Sequence, residues 1–373
     1  MIRLATPRLG EEEAAAVAAV LASGWLVQGE QVAAFEAGLQ PWTGSPHVVA
    51  CSSGTAALNL AIEALKLPRG STIALPDYTF PATINAVLLA GHKPVLIDVD
   101  AATWNMRPDD CAAVLDEHEP DALLCVHQFG LPAPLAGILP VCRERGIPLI
   151  EDAACALGSW LEIDGKRVVA GAIGDLACFS FHPRKIITTG EGGVVTTSDP
   201  ALDDRLRLLR NHGMRRGDAG IVFEEPGWNF RLTEMQAAIG LVQLTRLDEI
   251  LADRQRIAAG YAERLGRLRD RGLEVPIVPR GSATTWQSYV VRLPVGTDVG
   301  AVSRALLADE IQSTIGAQAL HQQPAYRGLP GAQRPLSGAD EAMARALALP
   351  VAFGLTDGEL DRVVDSLAAA LGT

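Results

Sequence analysis

The sequence predicts an α/β protein, a mostly parallel central sheet flanked by helices, followed by a smaller α+β domain. Three observations carry this expectation. Between about residues 45 and 200, short β-branched runs alternate with helical stretches of ten or more residues, which is how βαβ units read. Such units lay parallel strands side by side and cover both faces with helices. Beyond "VPIVPRGSATT" (275–285) that alternation stops and a strand is followed mainly by helices. Finally, 373 residues of which 48% are hydrophobic and 20% charged suffice for a large core and suit one large domain plus a smaller one.

Taken in order, "HVVAC" (47–51) reads as strand and "AALNLAIEALKL" (56–67) as helix. "STIAL" (71–75) and "KPVLIDV" (93–99) are strands around the helix "PATINAVLLAG" (81–91). The helix "MRPDDCAAVLDE" (106–117), the strand "DALLCVH" (121–127) and the helix "LAGILPVCRERG" (135–146) continue the alternation. "IPLIED" (147–152), "DLACFSF" (175–181) and "GGVVTT" (192–197) complete the strands. Residues 231–268 form one long helical pattern that starts at a capping-box pair, Thr233 and Gln236. "WQSYVVRLP" (286–294) reads as an exposed strand, with helices expected at 298–310, 339–348 and 357–371. The division that follows is a large domain with an N-terminal arm over 1–249 and a small domain over 250–373. The polar, Gly/Pro-rich segments 213–228 and 316–337 are long enough to be functional loops.

Composition narrows the function. A net charge of -12 disfavours nucleic-acid phosphates and anionic membranes, both of which reward a basic surface. Six cysteines lie in apolar or helical stretches without a CxxC pair, and no HExxH spacing occurs. Free thiols are therefore expected, with no local metal site. The first residues show no apolar signal segment, and no run approaches the ~18 residues of a membrane span. A soluble cytoplasmic protein is expected.

Three stretches carry chemistry. The first is "CSSGTAAL" (51–58), where a strand ends, Ser-Ser-Gly turns the chain and a helix begins near Thr55. First-turn amides, the helix dipole and hydroxyls there make an anion cradle, although an ordinary cap by Ser52 or Ser53 is the alternative reading. It matches neither GxxxxGK[ST] nor GxGxxG. The second is "LIEDAACALG" (149–158), with Asp152 where an apolar strand runs out, at the edge where open α/β sheets bind ligands. A carboxylate there suits a cation or a protonated ring nitrogen; a turn or cap residue is the plain alternative. The third is "FSFHPRKIITTGEGG" (179–193). The chain's 32 basic residues divide into 28 Arg and only 4 Lys, yet Lys185 stands beside Arg184. An amine can lose its proton and attack a carbonyl, whereas a guanidinium stays charged. An anion cradle, a carboxylate and an amine at strand ends of one sheet match the phosphate, ring nitrogen and aldehyde of pyridoxal phosphate (PLP).

With these stretches in hand, the sequence resembles the DegT/StrS-type nucleotide-sugar aminotransferases, a family of fold-type I PLP enzymes. The resemblance extends over nearly the whole chain through "SGWLVQGEQVAAFE", "SSGTAAL", "DYTFPATINAV", "PVLIDVD", "VHQFG", "EDAACALGS", "FSFHPRKIITTGEGG", "NHGM" and "GWNFRLTEMQAAIG". It implies that Lys185 holds PLP as a Schiff base and that Asp152 pairs with the pyridinium nitrogen. Gly54, Thr55 and Ser180 match phosphate contacts, and Phe80 falls where an aromatic ring lies against the cofactor. Asn229 matches a phosphate ligand delivered by the other subunit of a homodimer with shared active sites. Trp25, Arg231, His321 and Tyr326 are candidates for contacts to the substrate, and Arg215, Arg216 and Arg231 for its diphosphate.

Cys155 stands where Gln or His is common beside the pyridoxal 3-oxygen, and Arg184 replaces the frequent Thr or Ser. "GAQALHQQPAYR" (316–327) stands in place of "HYPxPLH". The implied activity moves an amino group, from glutamate by family habit, to a nucleotide-linked keto-sugar in amino-sugar biosynthesis. Related sugar 3-dehydratases carry His where this chain has Lys185, which favours transamination. A PLP lyase or dehydratase, a non-catalytic regulatory homologue and a nucleotide-binding dehydrogenase are the competing readings.

Overall fold

The computed structural model describes residues 1–217, 220–329 and 334–372. At its centre lies a seven-stranded sheet of β1 (His47–Cys51), β2 (Thr72–Pro76), β3 (Lys93–Ile97), β4 (Ala122–Val126), β5 (Leu149–Asp152), β6 (Leu176–Ser180) and β7 (Gly193–Thr197). Their spatial order is β1-β7-β6-β5-β4-β2-β3. Neighbours from β6 through β3 pair in parallel, and β7 runs antiparallel between β6 and β1. The expected mostly parallel sheet is present, with β7 the reversed strand.

Alternation along each strand sends successive side chains to opposite faces. Cys51, Ile73, Leu75, Leu124 and Val195 enter one apolar cluster. Ala50, Phe179 and Val194, and then Ala74, Val95 and Leu123, enter clusters on the other side. Both faces are thus covered, as continuous apolar strands require.

A second sheet holds β8 (Tyr289–Arg292), β9 (Thr314–Ile315) and β10 (Ala346–Leu349), antiparallel with β10 in the middle. The strand in "WQSYVVRLP" is buried, not exposed as its sequence suggests. Tyr289 and Val291 face the C-terminal apolar cluster, while Val290 faces the cluster of the large sheet. Leu347 and Leu349 divide from Ala346 and Ala348 in the same way. The small sheet is therefore a partition between two cores. Its position explains the misreading, because only tertiary packing tells which face meets solvent.

Two helical expectations need correction. The 231–268 pattern is broken into α2 (Glu234–Thr245), α3 (Leu247–Leu265) and a 3-10 turn, Gly266–Arg271. The break falls at Arg246, with φ -109 and ψ 2, and its guanidinium is held by Glu12 and Glu13 of the helix Glu11–Ser23. Leu247 and Ile250 pack with the large sheet, whereas Ile257, Tyr261 and Leu265 pack in the C-terminal cluster, so α3 links the two. The expected 339–348 helix spans Ser337–Arg345, and its last residues form β10 instead. The helices Val299–Ala308 and Asp357–Ala370 lie where expected.

The segment 213–228 contains a hairpin, Met214–Gly217 against Gly220–Phe223. Within 316–337, Gln318–Ala319 pairs with Tyr78–Thr79 and two 3-10 turns follow; residues 218–219 and 330–333 lie outside the described residues. No helix among the described residues is long and apolar enough to cross a membrane.

The start of α2 also organises the N-terminal segment. Buried Glu234 accepts the backbone N–H groups of Gly29, Gln31 and Val32 at 2.8, 2.8 and 2.9 Å, the first turn of the helix Glu30–Thr43. A carboxylate at that end meets both the free amides and the helix dipole. Replacing it strands several donors, so Glu234→Ala should cost about 1–3 kcal/mol. The expected readout is a lower urea midpoint at unchanged slope and fixed protein concentration.

Candidate active site

The carboxyl ends of β1, β5 and β6 lie at one edge of the sheet, the edge at which open α/β sheets bind ligands. There α1 (Gly54–Ala64) begins, capped by Ser53, whose Oγ accepts the Ala56 N–H at 3.1 Å. The amides of Gly54 and Thr55 have no carbonyl one turn earlier to bond. The backbone approach is close enough to require glycine. A Cβ on Gly54 would lie 2.7 Å from Ser180 Cβ, and one on Gly193 would lie 2.5 Å from the Ser53 carbonyl oxygen. Any side chain would fill the cradle.

A cavity of about 390 Å³ opens over this edge, within the range of small-molecule sites. The structure brings Gly54, Thr55, Ser180, Asp152, Cys155 and Lys185 to its wall. Phe80 is on the rim, 65% exposed. Asp152 is 6% exposed; its Oδ2 accepts the Thr83 hydroxyl at 2.9 Å and its Oδ1 the Ala154 N–H at 3.1 Å. Burial pushes its carboxyl above the ordinary value, while these bonds and the Lys185 charge pull the other way without prevailing.

The adjacent Glu151 makes an instructive contrast. It points to the opposite face and accepts N–H groups of Gly171, Ile173 and Gly174 at 2.8, 2.8 and 2.6 Å. His127 Nε2 lies 2.8 Å away, and His127 Nδ1 accepts the Ala133 N–H at 2.9 Å, so Nε2 carries the proton donated to Glu151. Burial alone would raise the Glu151 carboxyl, but His127 and the backbone donors hold it below its usual range. Glu151 thus meets four donors and Asp152 two, one on each oxygen.

Lys185 sits in the loop after β6, its N–H bonded to the His182 carbonyl at 2.8 Å and its Nζ donating to Cys155 Sγ at 3.1 Å. The backbone just before it is fixed from the small sheet's side, where Gln287 Nε2 donates to the Arg184 carbonyl at 2.5 Å. Thr83, His127, Glu151 and Gln287 were not singled out from the sequence. Thr83 lies inside "TFPATINAV" one helical turn after Thr79, and two consecutive acids ending an apolar strand were a signal for Glu151. Nothing local marks Gln287, which reaches the site from over 100 residues away.

Other candidates lie away from the cavity wall. His321 bridges buried Asp77 at 2.5 Å and Asp340 at 3.1 Å. Tyr326 is buried and donates its hydroxyl to Asn85 Oδ1 at 2.7 Å. Arg231 donates to Asn211 Oδ1 at 2.6 Å, and exposed Asn229 pairs with Asn211 through the backbone. Trp25 and Arg216 are exposed, and Arg215 is engaged by Asp204 and Glu224.

An amine, an under-compensated carboxylate and an anion cradle on one cavity of a fold-type I sheet define a PLP-type transferase architecture. Residues 7–368 match the DegT/DnrJ/EryC1/StrS aminotransferase family, and the chain belongs to it. The chain is 37% identical over 98% of its length to GDP-perosamine synthase of Caulobacter vibrioides, covering 97% of that protein. It is 35% identical over its full length to dTDP-4-dehydro-2,3,6-trideoxy-D-glucose 4-aminotransferase of Saccharopolyspora spinosa, 97% of which is covered. The crystal structure of the aminotransferase TlmJ from Streptoalloteichus hindustanus superposes with a TM-score of 0.91 at 35% identity, covering 100% of this chain and 99% of that one. These likenesses favour transamination over the lyase, dehydratase and regulatory readings.

The raised Asp152 carboxyl has a stability consequence. A folded-state value above the ordinary 3.8 means the folded protein holds this proton more tightly than the unfolded chain does. That contribution is present below 3.8 and is lost as pH climbs through the raised value. In cofactor-free protein, Asp152→Asn should therefore be stabilised relative to the parent as pH rises to 7, measured by urea unfolding at matched pH values.

Proposed function

We propose that the protein is a PLP-dependent aminotransferase that carries an amino group from an amino acid, glutamate by family resemblance, to the keto carbon of a nucleotide-linked sugar. The observation that carries this reading is the convergence of the Lys185 amine, the buried Asp152 carboxylate and the α1 cradle on one cavity. When bound, PLP supplies an electron-withdrawing ring that stabilises the negative charge left at carbon after proton removal. Lys185 would hold the cofactor at its aldehyde carbon, and its amine is the group placed to take and return the proton. Asp152 keeps the ring nitrogen protonated, because a buried carboxylate beside a cation gains most where water is scarce. Thr83 and Ala154 fix that carboxylate's orientation. The amides of Gly54 and Thr55, with the Ser180 hydroxyl, would hold the phosphate, and Phe80 would shield the ring.

The nucleotide-sugar acceptor is supported by the two relatives, one named for a GDP-linked and one for a dTDP-linked sugar. In this reading the protein is a homodimer whose partner completes the site through Asn229, with Trp25 and Arg231 facing substrate, whereas His321 is held by Asp77 and Asp340. Support comes from the hairpin Met214–Phe223, whose Ile221, Val222 and Phe223 are all more than half exposed. Two strands that expose apolar side chains on both faces are marginal alone and mark a contact surface. We assign residues 1–249 to the cofactor-binding domain and 250–373 to the smaller one, the latter with its own apolar cluster. The place of action is the cytoplasm, in keeping with six unpaired cysteines.

Purified protein supplied with PLP should be yellow, and borohydride should fix the cofactor on the peptide that contains Lys185. Protein that takes up no PLP, or Lys185→Ala with undiminished turnover, refutes the reading; a loss on the order of 10³-fold or more is expected. A panel of nucleotide keto-sugars with glutamate identifies the acceptor. Phe223→Asp should shift the protein toward monomer in sedimentation and lower activity with it.

A further inference from the structure

The side chain facing the lysine amine is a thiol. Lys185 Nζ and Cys155 Sγ are 3.1 Å apart on the wall of the cavity. The other five cysteines are buried, and burial pushes Cys51 and Cys111 up to about 12 and Cys142 to about 11, with Cys125 and Cys178 well above the ordinary value. Thiols held protonated inside a core are inert. Cys155 alone among them is half-buried and reached from the cavity. The Lys185 ammonium faces it, and electropositive, accessible surroundings are where cysteines react. Its backbone is also fixed, because Thr285 Oγ1 donates to the Cys155 carbonyl at 2.9 Å.

We propose that Cys155 and Lys185 form a reversible oxidative cross-link, a sulfur–nitrogen bond made when a peroxide reaches the cavity while the lysine amine is free. In the first step the sulfur attacks a peroxide oxygen. The O–O bond breaks, an S–O bond forms, the sulfur is oxidised by two electrons to the sulfenic acid, and the peroxide is reduced to water or an alcohol. In the second, the amine lone pair attacks that sulfur. The S–N bond forms, the S–O bond breaks, and the hydroxyl leaves as water with a proton from nitrogen. A thiol reverses the change: its sulfur attacks Cys155 Sγ, nitrogen leaves and takes a proton, and a second thiol frees the cysteine as a disulfide departs.

The functional consequence rests on the reading of Lys185 as the cofactor-bonding amine. A locked amine cannot bond PLP, and bound PLP keeps the amine away from the sulfur. Oxidation then silences cofactor-free protein and spares loaded protein.

The test uses the full-length protein freed of cofactor, treated with hydrogen peroxide, digested and analysed by mass spectrometry. The peptides carrying Cys155 and Lys185 should be recovered joined, lighter by two hydrogens than their sum, and dithiothreitol should separate them. Lys185→Arg should instead leave a sulfenic acid on Cys155 that dimedone traps, with no joined peptide. PLP uptake should fall in proportion to the joined peptide and return with dithiothreitol. The proposal is overturned if, after peroxide, Cys155 remains fully alkylated by N-ethylmaleimide, or passes to sulfinic acid with Lys185 free. If the joined peptide forms equally in protein saturated with PLP, the cross-link stands and the cofactor role of Lys185 falls.

Discussion

A carboxylate kept in a nearly dry interior with too few donors is what the site depends on. Strand β5 ends in two acids, and the strand period sends them to opposite faces of the sheet. Glu151 has three backbone N–H groups and a histidine, enough to disperse its charge without any ligand. Asp152 has one hydroxyl and one amide. Two identical chemistries one residue apart thus acquire different duties. The first is a structural tie between β5 and the turn at 171–174, and the second is an unpaid charge that favours a cationic ligand.

The sheet places the remaining parts around that charge. Because β1, β5 and β6 point the same way, the turn after each opens at one edge. The turn after β1 leads into the amides of α1, and the turn after β6 carries the lysine. Reversed β7 begins at the same edge with Gly193, whose lack of a side chain lets the cradle close against Ser53. The cradle amides and the loop of Lys185 are therefore held by fixed backbone on the wall of one cavity. Positioning of this kind comes before the chemistry and belongs to the protein alone.

The strands of the large sheet, and the amine, carboxylate and Ser-Ser-Gly turn that the structure brings to one cavity, were legible because each depends on local pattern. A β-branched run and a Ser-Ser-Gly turn can be read within ten residues, and a lysine among arginines from the composition. What escaped notice depends on distance. The burial of Tyr289–Arg292 follows from two cores meeting across it, and the break at Arg246 from acids over 230 residues earlier. A helical period does not change when one residue leaves the helical region, so the pattern stayed continuous. His321 and Tyr326 could be aligned with a motif, but their hydrogen-bond partners, Asp77 and Asn85, come from the other end of the chain. Residue type alone does not say which polar side chain faces a ligand and which is already satisfied.

The segment 285–287 shows how such distant contacts reach the chemistry. Thr285 bonds the Cys155 carbonyl, and its N–H is 3.2 Å from Ser159 Oγ. Arg254 of α3, buried so that its guanidinium is pulled down to about 10, donates to the carbonyls of Trp286 and Gln287 at 2.9 and 3.3 Å. Gln287 in turn holds the carbonyl before Lys185. Trp286 adopts φ 52, a left-handed conformation that costs about 1–2 kcal/mol for a residue with a Cβ. Opposite it, Phe129 at φ 58 precedes Gly130, where a Cβ would lie 2.3 Å from Thr285 Oγ1. Strained backbone persists only where the surroundings over-determine it, and here five bonds from three elements do so. The strain is offset by placement: the small sheet, α3 and the turn after β5 converge on the loop that carries the amine. Lys185 is thus positioned from both cores at once, which a loop anchored only to its own strand could not achieve.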